Sequence, residues 1–111
     1  MIREMETTTI YKVETNCLDI LSVTQFEREL NGILHQNEKH VFLDFSEVEE
    51  VSSAVLGIII HKKMKLKKEG REIYLLHTTK SVERILKILK LSSLLMFHQN
   101  EANLSLQLSP I

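Results

Sequence analysis

A chain of 111 residues and 12.9 kDa fits one domain built round a single core. Hydrophobic residues at 43% and charged residues at 26% exclude a disordered or fibrous chain. A formal net charge of −1 gives no reason to expect nucleic acid or an anionic membrane as a partner. The longest apolar stretch, residues 54–60 (AVLGIII), falls far short of the ~20 residues that span a bilayer, so no membrane insertion is expected. The opening MIREMETTT lacks the apolar segment of a secretory signal, and a lone Cys17 cannot build a disulfide framework. The expectation is a soluble cytoplasmic protein.

Residues 8–14 have a β-type composition and residues 17–21 form a second short apolar run. Asn16 lies between them at a turn position, so a hairpin is expected. Thr24 and Glu27 then form a capping box, and Phe26, Leu30, Ile33 and Leu34 follow at helical spacing. Residues 37–40 are the exit loop. Residues 41–45 (VFLDF) are apolar with little alternation, as suits a strand covered on both faces. A polar connection over 46–50 leads to a second helix running to about residue 69. Its first two turns are apolar nearly all round, and its second half is basic at Lys62, Lys63, Lys65, Lys67 and Lys68. Gly70 stands where a left-handed residue would end that helix, with lysines at the negative end of its dipole.

Residues 72–77 (EIYLLH) read as the next strand. Thr78 or Thr79 caps a third helix with Val82, Ile85, Leu86 and Leu89 on one face. Residues 94–97 read as a last strand, and the tail from residue 98 fits a strand or a short helix equally well. The order β-β-α-β-α-β-α-β implies a mixed sheet carrying helices.

The chemistry of common active sites is missing. There is no Gly-rich phosphate loop, no dinucleotide fingerprint and no metal-spaced Cys/His cluster, so neither cofactor nor metal is expected. Ser52 and Ser53 have no nearby histidine in sequence, and their plainest role is to cap the second helix. Cys17 is expected to be a small buried hydrophobe, Asp44 an acid at the end of a strand, and the lysine run a solvated face. No catalytic residue is assigned.

The stretch LDFSEVEEVSSAVLGIIIHKKMKLKKEGREIYLL, followed by TTKSVERILKILKLSSLL, resembles the STAS family of bacterial anti-sigma factor antagonists. The shared pattern is an apolar strand, a hydroxyl-bearing turn opening a helix, a Lys-rich helix end with glycine, a strand and a further helix. Aligned on Leu56 and Gly57, Ser52 replaces the family's Asp. Ser53 and Ala54 fall on its two hydroxyl positions, Val55 replaces a Gly, Lys80 a Pro and Lys90 a Gly.

The resemblance implies an α/β fold, a mixed sheet of four to five strands with three to four helices packed largely on one face. It implies a single STAS domain over residues 1–111, with 1–7 and 98–111 peripheral. It also implies a phosphorylation-switched binding module, not an enzyme. Its partners would be an anti-sigma factor that is also a serine kinase and a PP2C-type phosphatase that resets the switch. Ser53 is the expected phosphoacceptor, with Ser52 as second choice and as N-cap. The expected partner surface comprises Val51, Ser52, Ser53, Ala54, Lys62 and Lys65, with the lysines steering an acidic partner. The alternatives are an STAS scaffold or subunit of a transport or sensory complex that needs no phosphorylation, and a small enzyme with Ser53 as nucleophile.

Overall fold

The computed structural model describes residues 2–4, 7–36 and 39–96. Among these residues six strands form: β1 (Ile2–Glu4), β2 (Thr8–Lys12), β3 (Cys17–Leu18), β4 (His40–Asp44), β5 (Glu50–Val51) and β6 (Ile73–Leu76). Four α-helices accompany them: α1 (Val23–Gln36), α2 (Ser53–Lys67), α3 (Lys80–Ile88) and α4 (Ser92–Leu95). The main sheet runs β1-β2-β4-β6, with β1 antiparallel to β2 and the other neighbours parallel. A separate two-stranded parallel sheet pairs β3 with β5.

The parallel strands are joined through helices, and those helices bury one face of the sheet. Val41 and Leu43 of β4 and Ile73 and Leu75 of β6 meet Phe26, Leu30, Ile33 and Leu34 of α1 in one cluster. Val55, Leu56, Ile59 and Leu66 of α2, Val82 and Leu86 of α3, and Leu95 of α4 complete it. Phe42 points to the opposite face with Ile10, and its ring stacks on Tyr74 at 6.3 Å. Val41, Phe42 and Leu43 are thus all fully buried, which explains a strand without alternation.

The expected hairpin of residues 8–14 with 17–21 does not form. β2 already has a neighbour on each edge, β1 and β4, so no edge is left for residues 17–18. Those two residues pair with β5 instead. Nor does the capping box act. The Asp19 carboxylate accepts from the amides of Leu21 and Ser22, at 3.0 and 3.1 Å, and starts a 3₁₀ turn (Ile20–Ser22) that leads directly into α1. Thr24 is therefore already inside the helix.

Gly70 ends α2 as expected, with φ at 75°. The Gly70 amide donates to Lys67 O and the Arg71 amide to Leu66 O, the two bonds of a left-handed helix stop. Lys90 closes α3 in the same way with φ at 59°, a conformation in which a side chain is strained. The chain then turns into α4, so residues 94 and 95 are helical. Of the described residues of the expected final strand, only Met96 pairs with the sheet, by a single parallel bridge to Leu75. Leu89 is 43% exposed and lies outside the buried stripe of α3. Phe97 and the tail from residue 98 lie outside the described residues.

The lysine run is not a uniformly solvated face. Lys63 is only 7% exposed; its ammonium donates to Glu72 Oε1 at 3.2 Å and Ile73 O at 2.9 Å, and lies 3.6 Å from the centre of the Tyr74 ring. Arg71 is equally buried and donates to Lys39 O and Leu34 O, tying the end of α2 to the exit of α1.

His40 joins β4 to the start of β6, since its Nδ1 accepts from the Glu72 amide at 3.0 Å. Burial, with a smaller contribution from Arg71, lowers its pKa against the pull of Glu72. The unfolded chain therefore takes up a proton near pH 6.5 that the folded chain resists, so stability is present above that pH and is lost as pH falls. Thermal denaturation between pH 8 and 5 should show a decline that is shallower in His40→Asn, whose amide oxygen keeps the acceptor without titrating. An unchanged slope would remove His40 from the account.

Candidate functional site

The candidate site is the turn that opens α2, and it is held by backbone bonds from residues far away in sequence. After β4 the chain passes through Phe45 and Val48, both fully buried. The carbonyl of Asn16 then accepts from the amides of both Glu49 and Glu50, at 2.8 and 3.0 Å. β5 pairs with β3, and the Ser52 amide donates to Leu18 O at 2.8 Å. From the other side Thr79, the cap of α3, donates its hydroxyl to Val48 O at 2.8 Å. The turn is therefore fixed before α2 begins.

The two serines have different environments. Ser52 is the N-cap, half-buried, with extended backbone, and its Oγ accepts from the Val55 amide at 3.3 Å. Ser53 is the first residue of α2; its side chain is exposed and its hydroxyl makes no hydrogen bond among the described residues. No acidic residue occupies the first turn of α2, so the positive end of the helix dipole faces solvent at Ser53. Val51 is buried, its side chain part of the core cluster, and Ala54 is half-buried.

Lys62 and Lys65 lie nine and twelve residues beyond Ser53, about 13 and 18 Å along a helix. The Lys62 side chain is only 12% exposed and pairs with Glu27 of α1 at 3.8 Å, whereas Lys65 is exposed in the groove between the ends of α1 and α2. The structure thus gathers Val51, Ser52, Ser53 and Ala54 at one place and sets the lysines apart.

Residues not singled out by sequence surround the turn. Asp19, Glu49 and Glu50 are all exposed beside it, and with Ser52, Arg84 and Ile88 they line a groove between the small sheet and α3. Their clustering depends on the β3–β5 pairing, which joins residues 33 apart, and local pattern carries no trace of it. Cys17 is half-buried, its thiol facing Glu50 Oε2 at 3.6 Å and Asp19 Oδ2 at 3.8 Å. Desolvation and then these carboxylates push its pKa up, away from a reactive thiolate. Burial works to raise the pKa of Asp44 as well, but hydrogen bonds from Ser46 and the nearby His77, 3.5 Å away, outweigh it and hold the carboxyl below its usual range. Among the described residues, no group of three or more His, Cys, Asp or Glu side chains could hold a metal, and no helix is long and apolar enough to cross a membrane.

The STAS domain family matches residues 1–104. The chain is a member of the STAS domain family. Among solved structures, this STAS domain is similar to a putative anti-sigma factor antagonist of Thermotoga maritima, with a TM-score of 0.75 and 23% identity over 95% of this chain and 92% of that one. It is also similar to the unphosphorylated anti-sigma factor antagonist SpoIIAA, with a TM-score of 0.71 and 16% identity over 96% of this chain and 94% of that one. The phosphorylated form of the Bacillus cell fate determinant SpoIIAA matches with a TM-score of 0.63 and 15% identity, over 96% of this chain and 97% of that one. No curated protein matches the sequence. At these identities the solved structures establish the shared mixed α/β fold.

The division of labour between the serines predicts different costs. Ser52→Ala removes the N-cap and should destabilise the domain by about 1 kcal/mol. Ser53→Ala removes an exposed hydroxyl and should change stability by less than about 0.5 kcal/mol. Urea denaturation of the two variants checks this; equal losses would mean that Ser53 also has a structural bond.

Proposed function

We propose that this STAS domain is an anti-sigma factor antagonist, a binding module switched by phosphorylation of Ser53. Unmodified, it binds an anti-sigma factor that is also a serine kinase and so frees a sigma factor; a PP2C-type phosphatase restores the unmodified form. The observation that carries the reading is the exposed, uncommitted hydroxyl of Ser53 at the N-terminus of α2, beside a serine already used as cap. Family membership and the likeness to SpoIIAA, solved in both unphosphorylated and phosphorylated forms, support it. The family's Asp is replaced by Ser52, but the capping that an Asp could provide is retained.

The switch acts at a surface. Phosphate adds about −1.5 to −2 charge where a helix N-terminus tolerates it, so the domain keeps its shape. A partner packed on the turn must desolvate that charge or be held off by it. A difference of roughly 5.5 kcal/mol is enough to turn a 99:1 population into 1:99. The chain is the substrate of this chemistry and supplies none of it, so the reading requires no catalytic residue, cofactor or metal here.

A second reading has one observation in its favour. Asp19, Glu49 and Glu50 stand around the turn, and like charge opposes an added phosphate. An STAS scaffold or subunit of a transport or sensory complex would need no modification at all.

Incubation with ATP and the purified histidine-kinase-like anti-sigma factor of the source organism should add one phosphate, mapped to Ser53 by fragmentation. Ser53→Ala should remain unmodified and keep binding. Ser53→Asp should stay folded, with thermal stability held or slightly raised by about 0.3–1 kcal/mol of helix-dipole interaction, yet lose binding. Tight binding by Ser53→Asp would favour the scaffold reading, and phosphate on another residue would refute the assignment.

A further inference from the structure

A half-open cavity of about 350 Å³ lies where the chain leaves the carboxyl end of β2 and passes the start of α1. Its apolar lining includes Leu18 and Phe26, both buried members of the core. Its polar wall carries a carboxylate fixed by neutral donors. The Tyr11 hydroxyl donates to Glu29 Oε2 at 2.7 Å, and the Gln25 side-chain amide donates to Glu29 Oε1 at 3.2 Å. Gln25 lies one turn before Glu29 on α1 and Tyr11 reaches across from the sheet, so two elements aim the carboxylate. Burial first, and then Glu29 itself, push the Tyr11 pKa up, so the phenol remains a donor.

Neither donor brings a charge. Tyr11 and Gln25 are the partners of Glu29 among the described residues, which leaves its negative charge uncompensated. Lys12, the cation of the same wall, pairs with Glu47 at 2.8 Å. The helical entry to α1 would favour an anion, but the Asp19 carboxylate already answers it through the amides of Leu21 and Ser22. A fixed carboxylate beside an aromatic ring and apolar side chains is the chemistry that recognises an organic cation.

We propose that this cavity binds a small organic cation, an ammonium or guanidinium head on a short hydrocarbon chain. Glu29 anchors the head beside Tyr11, and Leu18 and Phe26 seat the chain. Glu29 is exposed at the mouth, so the bound head keeps part of its water and the affinity is modest. The site is separate from the serines of α2 and does not depend on their phosphorylation. It does share a wall with the mount of their turn, because the carbonyl of Leu18 holds the Ser52 amide.

The test titrates the full, isotopically labelled chain with n-butylamine at neutral pH and follows amide chemical shifts. Butan-1-ol and butyrate serve as the neutral and anionic counterparts. The amine should saturate with a dissociation constant of about 1 mM or lower. Shift changes should centre on residues 11–15, 18 and 22–29, and the alcohol and the acid should bind at least tenfold more weakly. Glu29→Gln keeps an acceptor for the phenol, so it should melt within about 2 °C of the parent yet bind the amine at least tenfold more weakly. Glu69→Gln makes the same charge change at the far end of α2 and should bind within twofold of the parent. Absence of saturation by the amine, or shifts centred elsewhere, overturns the site. Equal binding of butyrate or butan-1-ol overturns the cation, and binding by Glu29→Gln within twofold of the parent overturns the anchor.

Discussion

Two carbonyls of one short segment, Asn16 O and Leu18 O, hold the turn on which the account depends. Between them they accept from the amides of Glu49, Glu50 and Ser52, at 2.8 to 3.0 Å. Without them the chain between β4 and α2 would be a surface loop free to choose its conformation. With them, Val51 is directed into the core, Ser52 is placed to cap, and Ser53 is left outside. Thr79 holds Val48 from the side of α3, so the turn is braced by two elements distant in sequence. A rigid mount suits the proposed switch by surface charge, because modified and unmodified forms would then differ at one side chain only.

At this end of α2 the residues that hold the fold are distinct from those it leaves outside. Val51, Val55 and Leu56 belong to the core and Ser52 to the helix end, while Ser53 and Gly57 give the fold nothing that alanine could not. On the proposed reading, that separation lets the surface at Ser53 be altered without unfolding the domain that carries it. The far end of α2 is built differently. Lys63 and Arg71 are buried charges satisfied by Glu72 and by the carbonyls of Ile73, Lys39 and Leu34, and removing one partner would leave a charge without compensation. The lysine-rich half thus fastens α2 to β6 and α1, and the serine end is the one left open.

Much of this was legible in local pattern. The stripe Phe26, Leu30, Ile33 and Leu34, the uninterrupted apolar run of β4, the left-handed stop at Gly70 and the cap at Ser52 all follow from spacing and residue type. The same pattern narrows the cap of α3 to Thr78 or Thr79, of which the fold uses Thr79. The two-residue strands β3 and β5 are too short to show a period, and their pairing is decided by which sheet edges are already taken. The same blindness hid the carboxylate cluster, since Asp19 and Glu50 become neighbours only through that pairing. Lys63 is hidden in the pattern because a lysine in a basic run looks solvated, and its burial rests on Glu72 and Tyr74 at the next strand. Asp19 preceded the expected cap at Thr24 because an acid that satisfies two free amides starts the helix wherever the chain first offers it.

The central claim is that the turn is a fixed mount and the switch a change of charge on its surface. Amide hydrogen exchange at Glu49, Glu50 and Ser52, compared between the unmodified domain and the domain carrying phosphate or Asp at position 53, tests it most directly. The account predicts slow exchange at all three amides in every form, with rates differing less than about threefold. Loss of protection at these amides on introducing the charge would show that the turn itself rearranges, and would contradict the account.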